Sequence, residues 1–244
     1  MATIRDHYAS HLAPIYLWMA GGFDNAMALG ESDLSALGIE ARTGMAVLDL
    51  GAGFGMHTIP LARAGCAVTA LDSSAILLNE LRAHADGLPI RVIEGDLLNA
   101  ASYVTEAPQL VLCMGDTVTH LQTEQEVEDL FTQVARIMAP GGLFVVTFRD
   151  YTSAACGDSR FIAVRSDANR IHTCFLEAQT SHMVVHDIVH ERSDAAWRMK
   201  VSSYRKLRLS PQWASAALRR VGLEPAVAAG PRGMVQITAR CPAR

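Results

Sequence analysis

Nine residues, Val47-Leu48-Asp49-Leu50-Gly51-Ala52-Gly53-Phe54-Gly55, constrain this chain more than any others. A short apolar run enters glycines at alternate positions, and a helix-compatible stretch follows through Arg63. Glycine reaches backbone angles that side chains forbid, so the pattern predicts a strand, a sharp turn and a helix start. Such a turn leaves bare backbone for a nucleotide-like ligand to approach.

The residues that follow repeat the theme. AVTALD precedes a helix from about Ser74 to Ala85, IRVIEGD a short polar connection, LVLCMGD a helix from about Glu124 to Met138, and GLFVVTF closes the series. Apolar strands alternating with helices predict a doubly wound, Rossmann-like α/β unit with a parallel sheet covered on both faces over residues 45–150. Past Asp150 the rhythm breaks. RFIAVRS, RIHTCFLEAQ, HMVVHDIVHER and AWRMKVSSYRKLRLS read as successive antiparallel strands, an insert over 151–209 that caps the same domain. A helix from about Pro211 to Val221 and a terminal hairpin, LEPAVAA with GMVQITAR, complete the core over 210–244. Residues 1–30 form an aromatic arm in which Pro14, Gly21 and Gly22 are expected to interrupt any long helix.

Half of the 244 residues are hydrophobic, enough for one sizeable core, so residues 1–244 are read as a single domain. The formal charge of −4, with Lys and Arg dispersed, offers no basic face for a phosphate backbone. No uncharged apolar stretch is long enough to span a bilayer, and MATIRDHYASHL has no signal-like core. A cytoplasmic monomer or homodimer without nucleic-acid or membrane partners is expected. Cys66, Cys113, Cys156, Cys174 and Cys241 are odd in number and widely spaced, which predicts reduced, mostly buried thiols.

The acidic residues narrow the ligand. A dinucleotide fingerprint wants a small residue three positions after Gly53, where this chain has Met56. Asp72 closes the second strand, where a carboxylate can accept two ribose hydroxyls. Asp96 with Leu97 closes the third, facing an adenine. Asp49 can sit near a cationic ligand. Each has an alternative as a turn or N-cap residue, Asp72 before Ser73-Ser74 and Asp96 before Leu97-Leu98.

VLDLGAGFG, Asp72, Asp96 and MAPGGLFVVTF together resemble the ordered motifs of class I S-adenosylmethionine-dependent methyltransferases. The resemblance implies a seven-stranded sheet with an antiparallel last strand. It also implies S-adenosylmethionine as cofactor, with Asp72 on the ribose, Asp96 and Leu97 on the adenine, and the Gly51–Gly55 loop on the methionine part. LCMGDTVTHL, PGGLFVVTFRDY and the arm are similar to glycine N-methyltransferase and its small-molecule relatives. That likeness implies Met114-Gly115 and His120 at the cofactor, Asp116 where those enzymes carry asparagine, Arg149 gripping an acceptor carboxylate, and Tyr8, more loosely Tyr16 or Trp18, closing over the cofactor. The expected cofactor-facing set is therefore Tyr8, Tyr16, Trp18, Asp49, Gly51, Ala52, Gly53, Gly55, Asp72, Ser73, Asp96, Leu97, Cys113, Met114 and His120.

Other polar residues carry competing readings. His182, His186 and His190 would align on a helix as a metal site, but their MVV and IV neighbours favour a strand that spreads them over about 26 Å, and no metal is expected. His57, at the helix start, reads either as a base or as a histidine bonded to the backbone. Arg205, Lys206 and Arg208 read as a solvated strand face, with Tyr204 the residue there that lines a pocket. Arg149 either grips the acceptor or pairs with Asp150 or a carboxylate of the cap. Asp116 either caps a turn through Thr119 or receives an N–H or positive charge from the acceptor, which favours an N–H-bearing heterocycle. The Asn/Asp-Pro-Pro-aromatic motif of base-methylating enzymes is absent.

The expected activity is methyl transfer to a nitrogen of a small polar molecule, with Asp116, His57, Arg149 and Tyr204 the catalytic candidates. The alternatives are an O-methyltransferase on a carboxylate or phenol, or a cofactor-binding protein without catalysis.

Overall fold

The computed structural model describes residues 3–153, 155–194 and 196–243. Five strands, β1 (Ala46–Leu50), β2 (Ala67–Asp72), β3 (Ile90–Glu94), β4 (Leu110–Cys113) and β5 (Leu143–Phe148), run parallel. The chain returns near its end with β10 (Glu224–Ala229) and β11 (Val235–Arg240), and β11 pairs antiparallel to β5. The spatial order is β10-β11-β5-β4-β1-β2-β3. This is the seven-stranded α/β sheet with an antiparallel last strand expected from the motifs. β1 and β4 are buried along their whole length, as central parallel strands covered on both faces must be. The strand order reverses between them, so a crevice opens at their carboxyl ends.

Three of the covering helices begin where a side chain caps a free backbone N–H. In α5 (Ala75–Ala83) Ser74 accepts from Leu77, in α6 (Glu124–Ile137) Thr123 accepts from Glu126, and in α7 (Pro211–Arg220) Ser210 accepts from Trp213. Val127, Leu130, Phe131 and Val134 on α6 recur at helical spacing and bury one face against the sheet.

Four antiparallel strands form a second sheet: β6 (Phe161–Ser166), β7 (Arg170–Ala178), β8 (His182–Ser193) and β9 (Ala196–Leu207). One face of this cap sheet is apolar at Leu176, Met183, Val185 and Tyr204 and packs on Leu12 of the arm and Tyr151 after β5.

The arm differs from expectation. Its first two residues lie outside the described set, and the rest is helical: α1 (Ile4–His7), a single π turn (Tyr8–Leu12), α2 (Ala13–Met19) and α3 (Phe23–Ala36). Pro14 does not break it. It stands in the first turn of α2, where an N–H is not required, and the π turn closes through Ala13 N–H to the Tyr8 carbonyl. The interruption falls at Gly21 and Gly22, both at positive φ. α3, whose pattern was not singled out in the sequence, covers the helix α4 (Thr58–Arg63). Cysteine burial is also less general than expected: all five are free, Cys66 and Cys113 are buried, and Cys156 is exposed.

Candidate active site

The glycine loop closes against both neighbouring strands. Gly51 N–H donates to the Leu71 carbonyl at 2.8 Å, and a Cβ on Gly51 would lie 2.4 Å from Thr117 Cγ2, so only glycine fits there. Gly53 N–H donates to Asp72 Oδ2 at 2.8 Å, and no atom lies nearer than 3.8 Å to the place its Cβ would occupy. The ground above Gly53 is therefore open. Asp72 ends β2, and its Oδ1 accepts Ser74 N–H at 2.8 Å, leaving lone pairs on both oxygens. Burial pushes its carboxyl above the usual range, which the N–H groups of Ser74 and Gly53 only partly offset.

Neither of the other two acidic residues stands at a strand end, and Asp96 takes the N-cap position that was its alternative reading. β3 stops at Glu94, and Asp96 beyond it is exposed and caps a 3-10 turn, accepting Leu98 N–H at 2.9 Å. Asp49 lies within β1, 2% exposed, and accepts from Thr58 Oγ1 at 2.6 Å. Its carboxylate is turned into the protein. Cys113 and Met114, at the end of β4, are buried beside the loop.

Across the crevice stands Asp116, 3% exposed and in the left-handed region at φ +76°. Its Oδ1 accepts Arg149 N–H at 2.9 Å, and its Oδ2 accepts from Tyr151 Oη at 3.4 Å and from the Lys206 ammonium. Lys206 corrects the reading of its strand as a solvated face: it is 9% exposed and ion-paired inside the protein. Burial pulls its pKa down, but Asp116 and Tyr151 outweigh that and leave it raised. Asp116 has the positive partner that its chemistry demands, yet the partner belongs to the chain. Its side chain does not cap the following turn either; Thr119 Oγ1 bonds to its carbonyl instead.

An aromatic box adjoins this pair. The Tyr204 ring lies 4.3 Å from that of His7 and 5.7 Å from that of His120, and Tyr8 meets His120 edge-on at 5.5 Å. Tyr16 bridges Tyr8, at 6.0 Å, to Phe54 of the glycine loop, at 5.9 Å. His120 Nε2 is buried and has no hydrogen-bond partner among the described residues. Burial, followed by the nearby Lys206 charge, holds the ring's pKa down at about 3, so it is a neutral imidazole. Tyr8, Tyr16, Tyr204, His120 and Asp116 thus converge.

Three candidates do not join them. His57 Nε2 lies 3.0 Å from Asp33 Oδ2, and Arg232 grips the same carboxylate through both of its terminal nitrogens, at 3.0 and 2.9 Å. The imidazole is thus bonded to a carboxylate and not to the backbone. Trp18 Nε1 donates to Asp167 Oδ2 at 2.6 Å, and its ring lies under Arg165 and Arg170 of the cap sheet. Arg149 is exposed; its guanidinium reaches the Arg232 carbonyl at 3.3 Å and bonds neither Asp150 nor a cap carboxylate. His182, His186 and His190 lie along β8, and His186 pairs with Glu177.

In the sequence Lys206 reads only as a solvated residue, and Tyr151 is not singled out. The period of a strand held the clue for the first, because Lys206 stands two residues from Tyr204 and so shares its face.

Residues 47–142 match the family described as a methyltransferase domain. The chain is 26% identical over 107 residues to a glycine/sarcosine N-methyltransferase of Aphanothece halophytica, covering 43% of this chain and 40% of that one. It is 30% identical over 134 residues to a ubiquinone biosynthesis O-methyltransferase of Methylobacterium, covering 50% and 49%. The matches to these two relatives span less than half of their own length. The amino pentose methyltransferase CalS10 of Micromonospora echinaspora superposes over 93% of this chain and 95% of its own, with TM-score 0.74 and 18% identity, and so shares the fold.

Proposed function

We propose that this chain, a member of the class I S-adenosylmethionine-dependent methyltransferases, moves a methyl group to a nitrogen of a small polar acceptor held beneath the arm and the cap sheet. The observation that carries the reading is His120: a neutral ring whose Nε2 has no partner among the described residues, set against Tyr8 and Tyr204. An acceptor nitrogen must attack with its lone pair free, and a neutral imidazole can orient it by accepting a hydrogen bond from the amine N–H; with its pKa held down at about 3 the ring is too weak a base to keep the proton, which the methylated amine releases to solvent. The name of the glycine/sarcosine N-methyltransferase supports a nitrogen acceptor.

The residues present fit the cofactor. The open ground above Gly53 and the free lone pairs of Asp72 beside it suit a ligand that approaches the backbone with hydroxyls to donate. Asp72 would hold the ribose hydroxyls, Asp96 and Leu97 the adenine, and Gly51 to Gly55 the methionine part. S-adenosylmethionine supplies an electrophilic methyl carbon when bound. Tyr8 and Tyr16 lie over the loop and exclude water, while Tyr204 orients His120 and lines the acceptor space. Arg149, exposed at the edge, is available to an acceptor carboxylate. The arm, the core and the cap sheet act as one unit in this reading.

Because Lys206 satisfies Asp116 internally, the acceptor need not bring an N–H to that carboxylate, and the preference for a heterocycle loses its support. A net charge of −4 disfavours a nucleic-acid acceptor.

The test is transfer from cofactor labelled with carbon-13 at the methyl group, to panels of amines, phenols and carboxylates. The methyl shift of the product reports the bonded atom. N-methyl products are expected; O-methyl products alone, the activity named for the Methylobacterium relative, would overturn the nitrogen assignment.

A further inference from the structure

Behind the aromatic box, between the arm and the cap sheet, lies a polar cluster that methyl transfer does not use. Asp187 of β8 is 2% exposed, and its cross-strand neighbours on the same buried face are Cys174 of β7 and Ser202 of β9. His172, two residues before Cys174, shares that face and is 1% exposed, and His7 enters from α1 fully buried. The distances are short: His172 Nε2 to Asp187 Oδ1 2.7 Å, Cys174 Sγ to the same oxygen 2.8 Å, His7 Nε2 to Asp187 Oδ2 2.9 Å, and Cys174 Sγ to His172 Nε2 3.8 Å. The surrounding positions, Leu176, Met183, Val185 and Tyr204, are apolar. A sheet face that otherwise excludes water brings three metal-ligating groups together, with His7 of the arm bonded to the carboxylate beside them.

We propose that His7, His172, Cys174 and Asp187 form a binding site for a divalent zinc-type ion, which ties the arm to the cap sheet. Two imidazoles, a thiolate and a carboxylate are the mixed N/S/O set that zinc accepts in tetrahedral coordination. With neutral imidazoles the set carries two negative charges, which a divalent ion cancels; a low-dielectric interior demands such a balance. On binding, the Cys174 thiol and any imidazolium in the cluster release their protons to solvent, and four ligand–metal bonds replace the bonds now made to Asp187. A tetrahedron with zinc bond lengths has ligand–ligand edges of about 3.3–3.6 Å; the ligand atoms of His172, Cys174 and Asp187 already lie within 4.8 Å of one another, whereas His7, bonded to the other carboxylate oxygen, must swing toward them to complete the set. His7 Nδ1 lies 2.7 Å from Ser202 Oγ, the outer hydrogen bond that fixes a ligating imidazole in its plane. His7 is followed directly by Tyr8, so an ion here would hold the aromatic roof against the site.

The test uses the full chain, stripped with chelator and then titrated with zinc alone, with cobalt as the spectroscopic probe. One equivalent of zinc per chain is expected, with a rise in melting temperature and, for cobalt, a thiolate-to-metal charge-transfer band. Cys174→Ser should abolish that band, and His172→Gln should weaken metal affinity at least tenfold, whereas His186→Gln, on the other face of β8, should leave both unchanged. The proposal is overturned if the wild-type chain takes up no stoichiometric metal, since the cluster is then only hydrogen-bonded. It is equally overturned if Cys174→Ser and His172→Gln, shown folded by circular dichroism, bind zinc as well as the wild type. The wild-type titration decides even where a variant fails to fold.

Discussion

The Lys206 ammonium and the Asp116 carboxylate form a buried ion pair that joins the last strand of the cap sheet to the turn after β4. The same carboxylate accepts the Arg149 N–H, so one side chain pins three segments distant in sequence. Removing either charge leaves the other uncompensated in a nearly dry site.

We predict that Lys206→Met destabilises the fold by about 3–5 kcal/mol, the usual cost of breaking a buried pair from one side. Asp116→Asn keeps a residue that tolerates the left-handed backbone but strands the Lys206 ammonium, so a loss in the same range is expected. Denaturant unfolding of both single variants and the double variant measures the coupling. Strictly additive losses would show that the pair is not energetically joined.

His120 makes stability depend on pH. Burial, and then Lys206, hold its folded pKa at about 3, whereas an unfolded histidine titrates near about 6.5. Between those values the unfolded chain binds the extra proton. Its contribution is therefore fully present above about pH 6.5 and is lost as pH falls toward 3, with a slope of up to about 1.4 kcal/mol per pH unit. We predict that His120→Gln flattens this dependence. An unchanged slope across that window would mean the ring is already protonated in the fold.

Asp72→Asn should weaken S-adenosylmethionine binding roughly ten- to a hundredfold, since a charge-assisted hydrogen bond contributes about 1.5–3 kcal/mol. The variant also sets an amide nitrogen against Gly53 or Ser74 N–H, which loosens the loop. Calorimetric titration reads the affinity, and an unaltered dissociation constant would remove Asp72 from the cofactor site.

Two glycines of one loop should respond in opposite ways. Gly51→Ala places its Cβ against Thr117 and is expected to lower the melting temperature clearly. Gly53→Ala meets no protein atom nearer than 3.8 Å, so its fold should survive at a left-handed backbone cost of about 1 kcal/mol while cofactor affinity falls. If Gly53→Ala binds S-adenosylmethionine as tightly as the wild type, the open ground above Gly53 is not where the ligand rests.

Local patterns in the sequence determined the sheet, its glycine turn and the four cap strands, because strand and helix periods and glycine turns are properties of neighbouring residues. Tyr8 and Tyr16 entered through the family resemblance, while the same patterns put Asp72 at the end of β2 and Tyr204 on a cap strand. What they could not determine is which buried charges meet. Lys206 finds Asp116 across 90 residues, Arg232 finds Asp33 across 199, and Asp187 finds His7 across 180. Pro14 shows the same limit on a smaller scale: its missing N–H forbids a helix interior but permits a first turn, and the π turn before it decides which applies. A carboxylate's need for a partner is written in its chemistry, but the partner's identity depends on which strands pack together, and only the tertiary structure decides that.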